Sequence, residues 1–167
     1  GSGEMLFFGT SVPVTAPWSG YRDQIKTVHI FGGITSIGYK AFEDFSILTN
    51  VTIADSVTVI EDFAFFGCYS LEQVMLPDNV TTIGYQAFWG CHGLKDMRLP
   101  DSVISIGSNA FFGCAGLTKI LIPPNVVLIE SDAFRNCFNL TDVVFSGRDT
   151  NMERGVFYDC TNLVHVE

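Results

Sequence analysis

The feature that most constrains this chain is an internal repeat of 23 residues, kept without insertion. An Ala-Phe pair recurs five times at this spacing, and Val156-Phe157 follows in the same register. A leucine stands seven residues after the start of each pair, and an isoleucine or Met152 stands four residues before it. Such aligned columns predict stacked units that bury their apolar faces against one another. The pairs begin at Ala41, Ala64, Ala87, Ala110, Ala133 and Val156.

Each unit is expected to contribute one strand to a parallel sheet. In residues 71–93, Val74 and Leu76 stand at alternate positions as in a half-buried strand, and the Pro-Asp-Asn sequence at 77–79 favours a turn. Stacking at ~4.8 Å predicts a single parallel sheet of roughly seven strands. The strands are expected near Val28, Val51, Val74, Met97, Ile120, Val143 and Val166.

The segment Tyr85–Trp89 and its counterparts are predicted to form short helical turns opposite the sheet. Gly90 stands where such a turn would end in the left-handed conformation. Its column contains only Gly, Asn and Asp, the residues that best tolerate a positive φ. The column is Asp44, Gly67, Gly90, Gly113, Asn136 and Asp159.

The chain is predicted to have three parts. Residues 1–3 look like a cloning remnant, residues 4–24 form an N-terminal cap or degenerate repeat, and residues 25–167 form the repeat array. Trp18 falls in the alanine column, where we expect that it cannot be accommodated like alanine. The chain ends at Glu167 directly after a strand and without a polar cap, and the sequence leaves open whether it is a fragment of a longer array. The residues of the cap that match the repeat are Met5, Phe7 and Val14.

Composition excludes several classes of function. The net charge is −9 and there are only nine lysines and arginines, so nucleic acid is not an expected partner. Hydrophobic residues make up 47% and charged residues 16%, which excludes a disordered chain. No apolar run approaches the ~18–20 residues of a membrane span, and none is predicted. No signal peptide is recognisable.

The five cysteines share one column of the repeat. An odd number at a fixed period argues against disulfides, because parallel Cα–Cβ vectors do not give the crossed geometry of the bond. Zinc needs a cluster such as CxxC, which the chain lacks. We expect buried thiols that react only after unfolding, and we predict no disulfide, metal site or cofactor. The cysteines are Cys68, Cys91, Cys114, Cys137 and Cys160.

A column of turn aspartates, Asp55, Asp78 and Asp101, has two interpretations. Stacked carboxylates suit calcium, which prefers several oxygen ligands. The column holds only three carboxylates and Pro124 interrupts it, so turn chemistry accounts for it better.

Units such as residues 83–100 (IGYQAFWGCHGLKDMRLP) resemble the BspA-like, Treponema-type leucine-rich repeat. The resemblance covers residues 25–167 and rests on the combined spacing of Ile-Gly, Ala-Phe, Cys and Leu-Pro. It implies a leucine-rich repeat solenoid: a right-handed β/α superhelix with a parallel sheet on the concave face and short helical turns opposite. It also implies a secreted or cell-surface protein that adheres to a protein or glycan on a host or microbial surface.

Two surfaces are candidate binding sites. The strand positions that point away from the core combine an apolar patch with neighbouring charges, a composition found at interaction sites; a solvated face without a ligand is the alternative. The second surface is a stripe of aromatic residues, which suits an interface or a carbohydrate platform if it faces outward and is core if it faces inward. The first set is Gln73, Met75, Asp96, Arg98, Lys119, Leu121 and Val144. The second set is Phe66, Trp89, Phe112 and Tyr158.

The function predicted from these features is that of a non-catalytic binding module for protein–protein interaction or adhesion. The alternative is a structural spacer that holds another domain of a longer surface protein. An enzyme is not expected, because the chain shows no convergent set of acid, base and nucleophile and none of the common catalytic motifs.

Overall fold

The fold is an all-parallel stack of short strands. The structure, a computed structural model, describes residues 17–167 in full and Glu4–Phe7 as backbone. The strands are β1 (Glu4–Phe7), β2 (Thr27–Ile30), β3 (Ser36–Ile37), β4 (Asn50–Thr52), β5 (Val59–Ile60), β6 (Gln73–Met75), β7 (Thr82–Ile83), β8 (Asp96–Met97), β9 (Ser105–Ile106), β10 (Lys119–Ile122), β11 (Leu128–Ile129), β12 (Asp142–Phe145), β13 (Asn151–Met152) and β14 (His165–Val166).

The strands form three parallel sheets whose register follows the repeat. Val28 pairs with Val51 and Val51 with Val74, each step being one repeat along the chain. One side of the solenoid is a six-stranded sheet in the order β13-β11-β9-β7-β5-β3. The other side holds two four-stranded sheets, β1-β2-β4-β6 and β14-β12-β10-β8. The predicted parallel strands are thus confirmed, but the expectation of one continuous sheet is wrong, because pairing stops between β6 and β8.

The predicted helical turns are wrong. Within the described residues the only helix is a 3₁₀ turn at Ser19–Tyr21, and Tyr85–Trp89 and its counterparts form non-helical turns. Gln86 has a φ of 52°, in the left-handed region, and a right-handed helix cannot pass through such a residue. The β/α class is therefore corrected to a β-solenoid. The left-handed column that contains Gln86 is Lys40, Phe63, Gln86, Asn109, Asp132 and Gly155.

Hydrogen bonds to the next unit explain these turn conformations. The peptide N–H groups of Gln86, Phe88 and Gly90 donate to carbonyl groups one repeat further on, at 3.0, 2.7 and 2.8 Å. A helix would use the same groups for bonds within the segment. The left-handed residues turn alternate peptide groups along the solenoid axis instead. Gly90 itself has a φ of 72°, as its column predicts.

The core is one continuous apolar ladder. The Phe65 and Phe88 rings stack with centroids 5.2 Å apart, and the Phe88 and Phe111 rings do the same. Among the described residues no polar or charged residue is buried. The ladder is the main source of burial, because each unit covers the apolar face of its neighbour.

The N-terminal segment joins this ladder. The register pairs Met5 with Val28, as the repeat spacing predicts, while Val14 lies outside the described residues. Trp18 occupies the alanine column and is nevertheless buried. Its ring stacks on Phe42 with centroids 5.8 Å apart, and its Nε1–H donates to the Ala41 carbonyl at 3.0 Å. The indole thus covers the first phenylalanine of the ladder.

A glycine-to-alanine pair tests how closely the units approach. A Cβ at Gly107 would lie 2.8 Å from both the Gly84 carbonyl carbon and the Tyr85 nitrogen, whereas a Cβ at Gly32 meets nothing within 4 Å. We expect Gly107→Ala to lower the free energy of unfolding by about 2 kcal/mol, since backbone atoms must move apart. Gly32→Ala should change it by less than about 0.5 kcal/mol. Urea unfolding followed by circular dichroism measures both values, and equal stabilities would contradict the packing described.

Candidate functional site

The strand face, defined as the outward positions of β2, β4, β6, β8, β10, β12 and β14, carries the first predicted set. Side chains alternate between core and solvent along each strand. Gln73 and Met75 are accordingly exposed on either side of buried Val74, and Lys119 and Leu121 on either side of Ile120. Asp96 and Arg98 lie on the same face and are exposed, while Val144 is half-buried.

The strand face is interrupted between β6 and β8. In the paired strands β12 and β14, the N–H of Glu167 donates to the Val143 carbonyl at 3.0 Å. The equivalent N–H of Arg98 makes no such bond to the Val74 carbonyl, and the N–H of Asp96 makes no main-chain bond to β6 either. The break leaves backbone donors and acceptors of two facing strands without partners across it.

The break coincides with a change in residue type. From β2 onward the central buried strand position holds Val or Ile in every unit except one, where it holds Met97. β-branched residues favour strands more than methionine does. The strand β8, which contains Met97, is only two residues long, while β10 has four.

A groove lies along the break. Its volume is ≈ 480 Å³, and a second hollow of ≈ 400 Å³ adjoins it on the other side of Met75. Met75 is 80% exposed between the two. Arg98 reaches from the groove to Asp78, Nη1 to Oδ1, at 2.9 Å. The residues that line the first groove are Glu72, Gln73, Val74, Met75, Leu76, Lys95, Asp96 and Arg98.

Sequence reasoning missed Glu72 and Lys95 as parts of this site. Each directly precedes its strand. In the other units the residue at this repeat position lies beside strands that are paired with each other. Only the break makes a groove next to them, and its one sequence signal is Met97 in a column of Val and Ile.

Three of the four stripe aromatics pack together. The rings of Phe66 and Trp89 stack at 4.6 Å and those of Trp89 and Phe112 at 5.7 Å, with interplanar angles of 13° and 6°. All three residues are half-buried. Both faces of the Trp89 ring are covered by its neighbours, so its edge is what remains for a partner, which does not suit the face-on stacking of a sugar on this ring. Tyr158 is 58% exposed and lies apart, with the Arg135 guanidinium 4.8 Å from its ring centroid.

The cysteine column forms a ladder of thiol hydrogen bonds. Each buried thiol contacts the carbonyl of a phenylalanine 26 residues earlier, for example Cys114 Sγ to Phe88 O at 3.2 Å. Burial raises the pKa of Cys68 and of Cys114. These thiols act as small apolar side chains that also satisfy a carbonyl, a role that the column alone does not reveal. The bonds are those of Cys68, Cys91, Cys114, Cys137 and Cys160.

The last thiol of the column differs from the others. A hydrogen bond to Cys160, together with burial, raises the pKa of Cys137. The same bond lowers the pKa of Cys160, because the neighbouring thiol stabilises the thiolate. The pKa of Cys160 is thus lowered where those of the other four thiols are raised, so its thiolate forms most readily of the five.

Brief alkylation at pH 8 tests this distinction. The thiolate is the reactive form, and a lowered pKa increases its fraction at a given pH. We expect Cys160 to be labelled first in the native protein, and Cys68, Cys91 and Cys114 only after unfolding in guanidinium. Peptide mass spectrometry identifies the labelled sites. Native labelling at Cys114 before Cys160 would contradict the ladder.

Two truncations test whether the aromatic stripe is packing or free surface. Trp89→Ala removes two stacked contacts and should lower the free energy of unfolding by about 2 kcal/mol. Tyr158→Ala, at an exposed ring, should cost less than about 1 kcal/mol. Chemical denaturation of both variants gives the comparison. Unchanged stability of Trp89→Ala would show that the stripe is not part of the fold.

Other classes of site find no support in the described residues. In residues 17–167 no three His, Cys, Asp or Glu side chains are grouped so that they could hold a metal ion. At two of the turn aspartates the main-chain carbonyl accepts a side-chain hydrogen bond from the next unit, that of Asp55 from Asn79 at 2.8 Å and that of Asp101 from Asn125 at 2.8 Å. No helix of the described part has the length and apolar character to cross a membrane.

Comparison with known proteins identifies the repeat. The sequence profile described as "BspA type Leucine rich repeat region" matches residues 35–164 in six copies. The chain is similar in structure to a T. pallidum leucine-rich repeat protein, with 26% identity and a TM-score of 0.81 over 95% of this chain and 81% of that one. No curated protein sequence matches the chain significantly.

Two further solved structures share the fold. A leucine-rich cell surface protein from Faecalibacterium prausnitzii is 27% identical with a TM-score of 0.60, over 87% of this chain and 48% of that one. A leucine-rich repeat protein from Bacteroides ovatus is 20% identical with a TM-score of 0.59, over 98% of this chain and 62% of that one. This chain therefore spans about half the length of the Faecalibacterium protein. None of these comparisons indicates an enzymatic family.

Proposed function

We propose that this chain, which belongs to the BspA-type leucine-rich repeat family, is a binding module that contacts a protein partner through its strand face. Leucine-rich repeat proteins are generally protein-interaction modules, and repeat arrays offer extended surfaces for this purpose. The observation that carries the assignment to this face is the groove at the β6–β8 break, where Met75 stands 80% exposed among charged side chains.

An exposed methionine beside an open groove has the features of an interaction site. Methionine is flexible and polarizable, so it adapts to different partner surfaces. Leu121, 47% exposed, extends the apolar area along the same face. Arg98 and Asp78 are largely exposed, so their ion pair contributes little to folding and both groups can contact a partner.

We further propose that the module acts outside the cell, at a cell surface or after secretion, in adhesion. The F. prausnitzii protein that shares the fold is described as a cell surface protein. The spacer function has no observation of its own in its favour, because a spacer does not require exposed apolar side chains on an open groove.

The test is a matched pair of surface variants. Met75→Asp with Leu121→Asp changes the strand face, and Ile104→Asp with Val127→Asp makes the same chemical change at residues 47% and 54% exposed outside that face. We expect the unmodified protein to bind at least one purified extracellular-matrix or cell-surface protein in surface plasmon resonance. The strand-face variant should lose at least about tenfold in affinity, or ~1.4 kcal/mol, and the control should lose little.

Circular dichroism and urea unfolding of both variants check that neither loses its fold. Equal affinity of the strand-face variant and the unmodified protein would move the binding site elsewhere. Equal losses in both variants would show a general effect of added negative charge.

A further inference from the structure

We infer that the β6–β8 groove accepts a basic partner segment: one apolar side chain inserts beside Met75, and lysine or arginine residues on either side of it pair with the carboxylates at the rim. This inference rests on the proposed function and names the kind of partner that the strand face fits. It follows from the floor of the groove, its width and its charges.

The floor of the groove is apolar. Val74 and Leu76 line the groove and are each 5% exposed, so a small part of the core reaches the surface there. Met75, 80% exposed, supplies a flexible apolar side chain to the same lining. An apolar side chain that enters this space loses contact with water on several sides, which is the main source of favourable free energy in most interfaces.

The width of the groove limits what enters. Cα atoms of β6 and β8 lie within 8 Å of each other. A strand inserted between them needs about twice the inter-strand spacing of ~4.8 Å, roughly 9.6 Å. The partner therefore does not complete the sheet by strand addition. It lies across the strand face and sends a side chain into the break.

The groove and the adjoining hollow together hold more carboxylates than cations. Glu72 and Asp96 line the groove with Lys95 and Arg98, and Asp55 and Asp78 line the hollow with Arg98. Arg98 is already paired with Asp78. The other three carboxylates have no cation within 4 Å in the described structure, and Asp55, Glu72 and Asp96 are exposed.

Charge complementarity therefore favours a cationic partner. The chain carries a net charge of −9, which attracts such a segment from a distance and repels an acidic one. The carboxylates beside the apolar floor that have no cation within 4 Å then fix its position. The expected recognition element is an apolar residue with basic residues before and after it.

The probe is a synthetic capped peptide, Gly-Ser-Lys-Lys-Leu-Lys-Lys-Ser-Gly, measured by isothermal titration calorimetry at low ionic strength. Two further peptides carry serine in place of the leucine, or glutamate in place of every lysine. We expect the first peptide to bind at least tenfold more tightly than the serine peptide. The glutamate peptide should not bind.

Matched charge variants locate the site. Glu72→Gln with Asp96→Asn removes two carboxylates from the groove, and Asp23→Asn with Asp149→Asn removes two exposed carboxylates elsewhere. The groove variant should weaken binding of the leucine peptide at least tenfold, and the control variant less than threefold. Since all four positions are exposed, both proteins should fold, as urea unfolding verifies.

Two outcomes overturn the inference. Equal binding of the leucine and serine peptides, or equal losses in the two charge variants, would show that an acidic protein attracts a polycation without a site. If the strand-face variant of Met75 and Leu121 loses its protein partner but the leucine peptide does not bind, the inference fails while the proposed function stands. If the peptide binds the groove but the protein partner binds that variant as tightly as the unmodified protein, the proposed function fails independently of the peptide result.

Discussion

The structure depends on main-chain hydrogen bonds that each unit makes to its neighbours rather than within itself. Along the six-stranded sheet, the N–H of Glu61 donates to the Ile37 carbonyl of the preceding unit. On the turn side, the N–H of Phe65 donates to the Ala87 carbonyl of the following unit. Because buried peptide groups must be paired, a unit cannot be stable alone, and an insertion in one unit would break the bonds on both sides. The strict period of the sequence is the consequence.

The same constraint separates what the sequence could predict of the fold from what it could not. Strand positions, register and the left-handed Gly90 column follow from period-two alternation and from residues that tolerate a positive φ. The non-helical conformation of the turns could not be predicted in this way. The Gln86 column holds Lys, Phe, Gln, Asn and Asp before Gly155, and most of these residue types do not predict a left-handed backbone. Inter-unit bonding overrides their local preference there, as tertiary context often does.

The candidate site likewise has one part that the sequence could predict and one part that it could not. Alternation along each strand predicted that Met75 and Leu121 point outward, and their exposure agrees. The groove that brings Glu72 and Lys95 beside Met75 lies where one unit departs from the repeat. A repeat pattern describes only what the units share, so it could not predict this groove. Only Met97, a single unbranched residue in a β-branched column, marked the unit where the sheet is interrupted.

The solenoid tolerates this interruption because the six-stranded sheet and the stack of phenylalanine rings both continue across it. The strands β7 and β9 remain paired, and the rings of Phe88 and Phe111 remain stacked at 5.2 Å. The N–H groups of Asp96 and Arg98 belong to exposed residues, where water can satisfy them at little cost in free energy. A partner that displaces this water must offer donors and acceptors of its own. The break thus interrupts one face without dividing the core, and departures from local structural rules are expected where a protein binds.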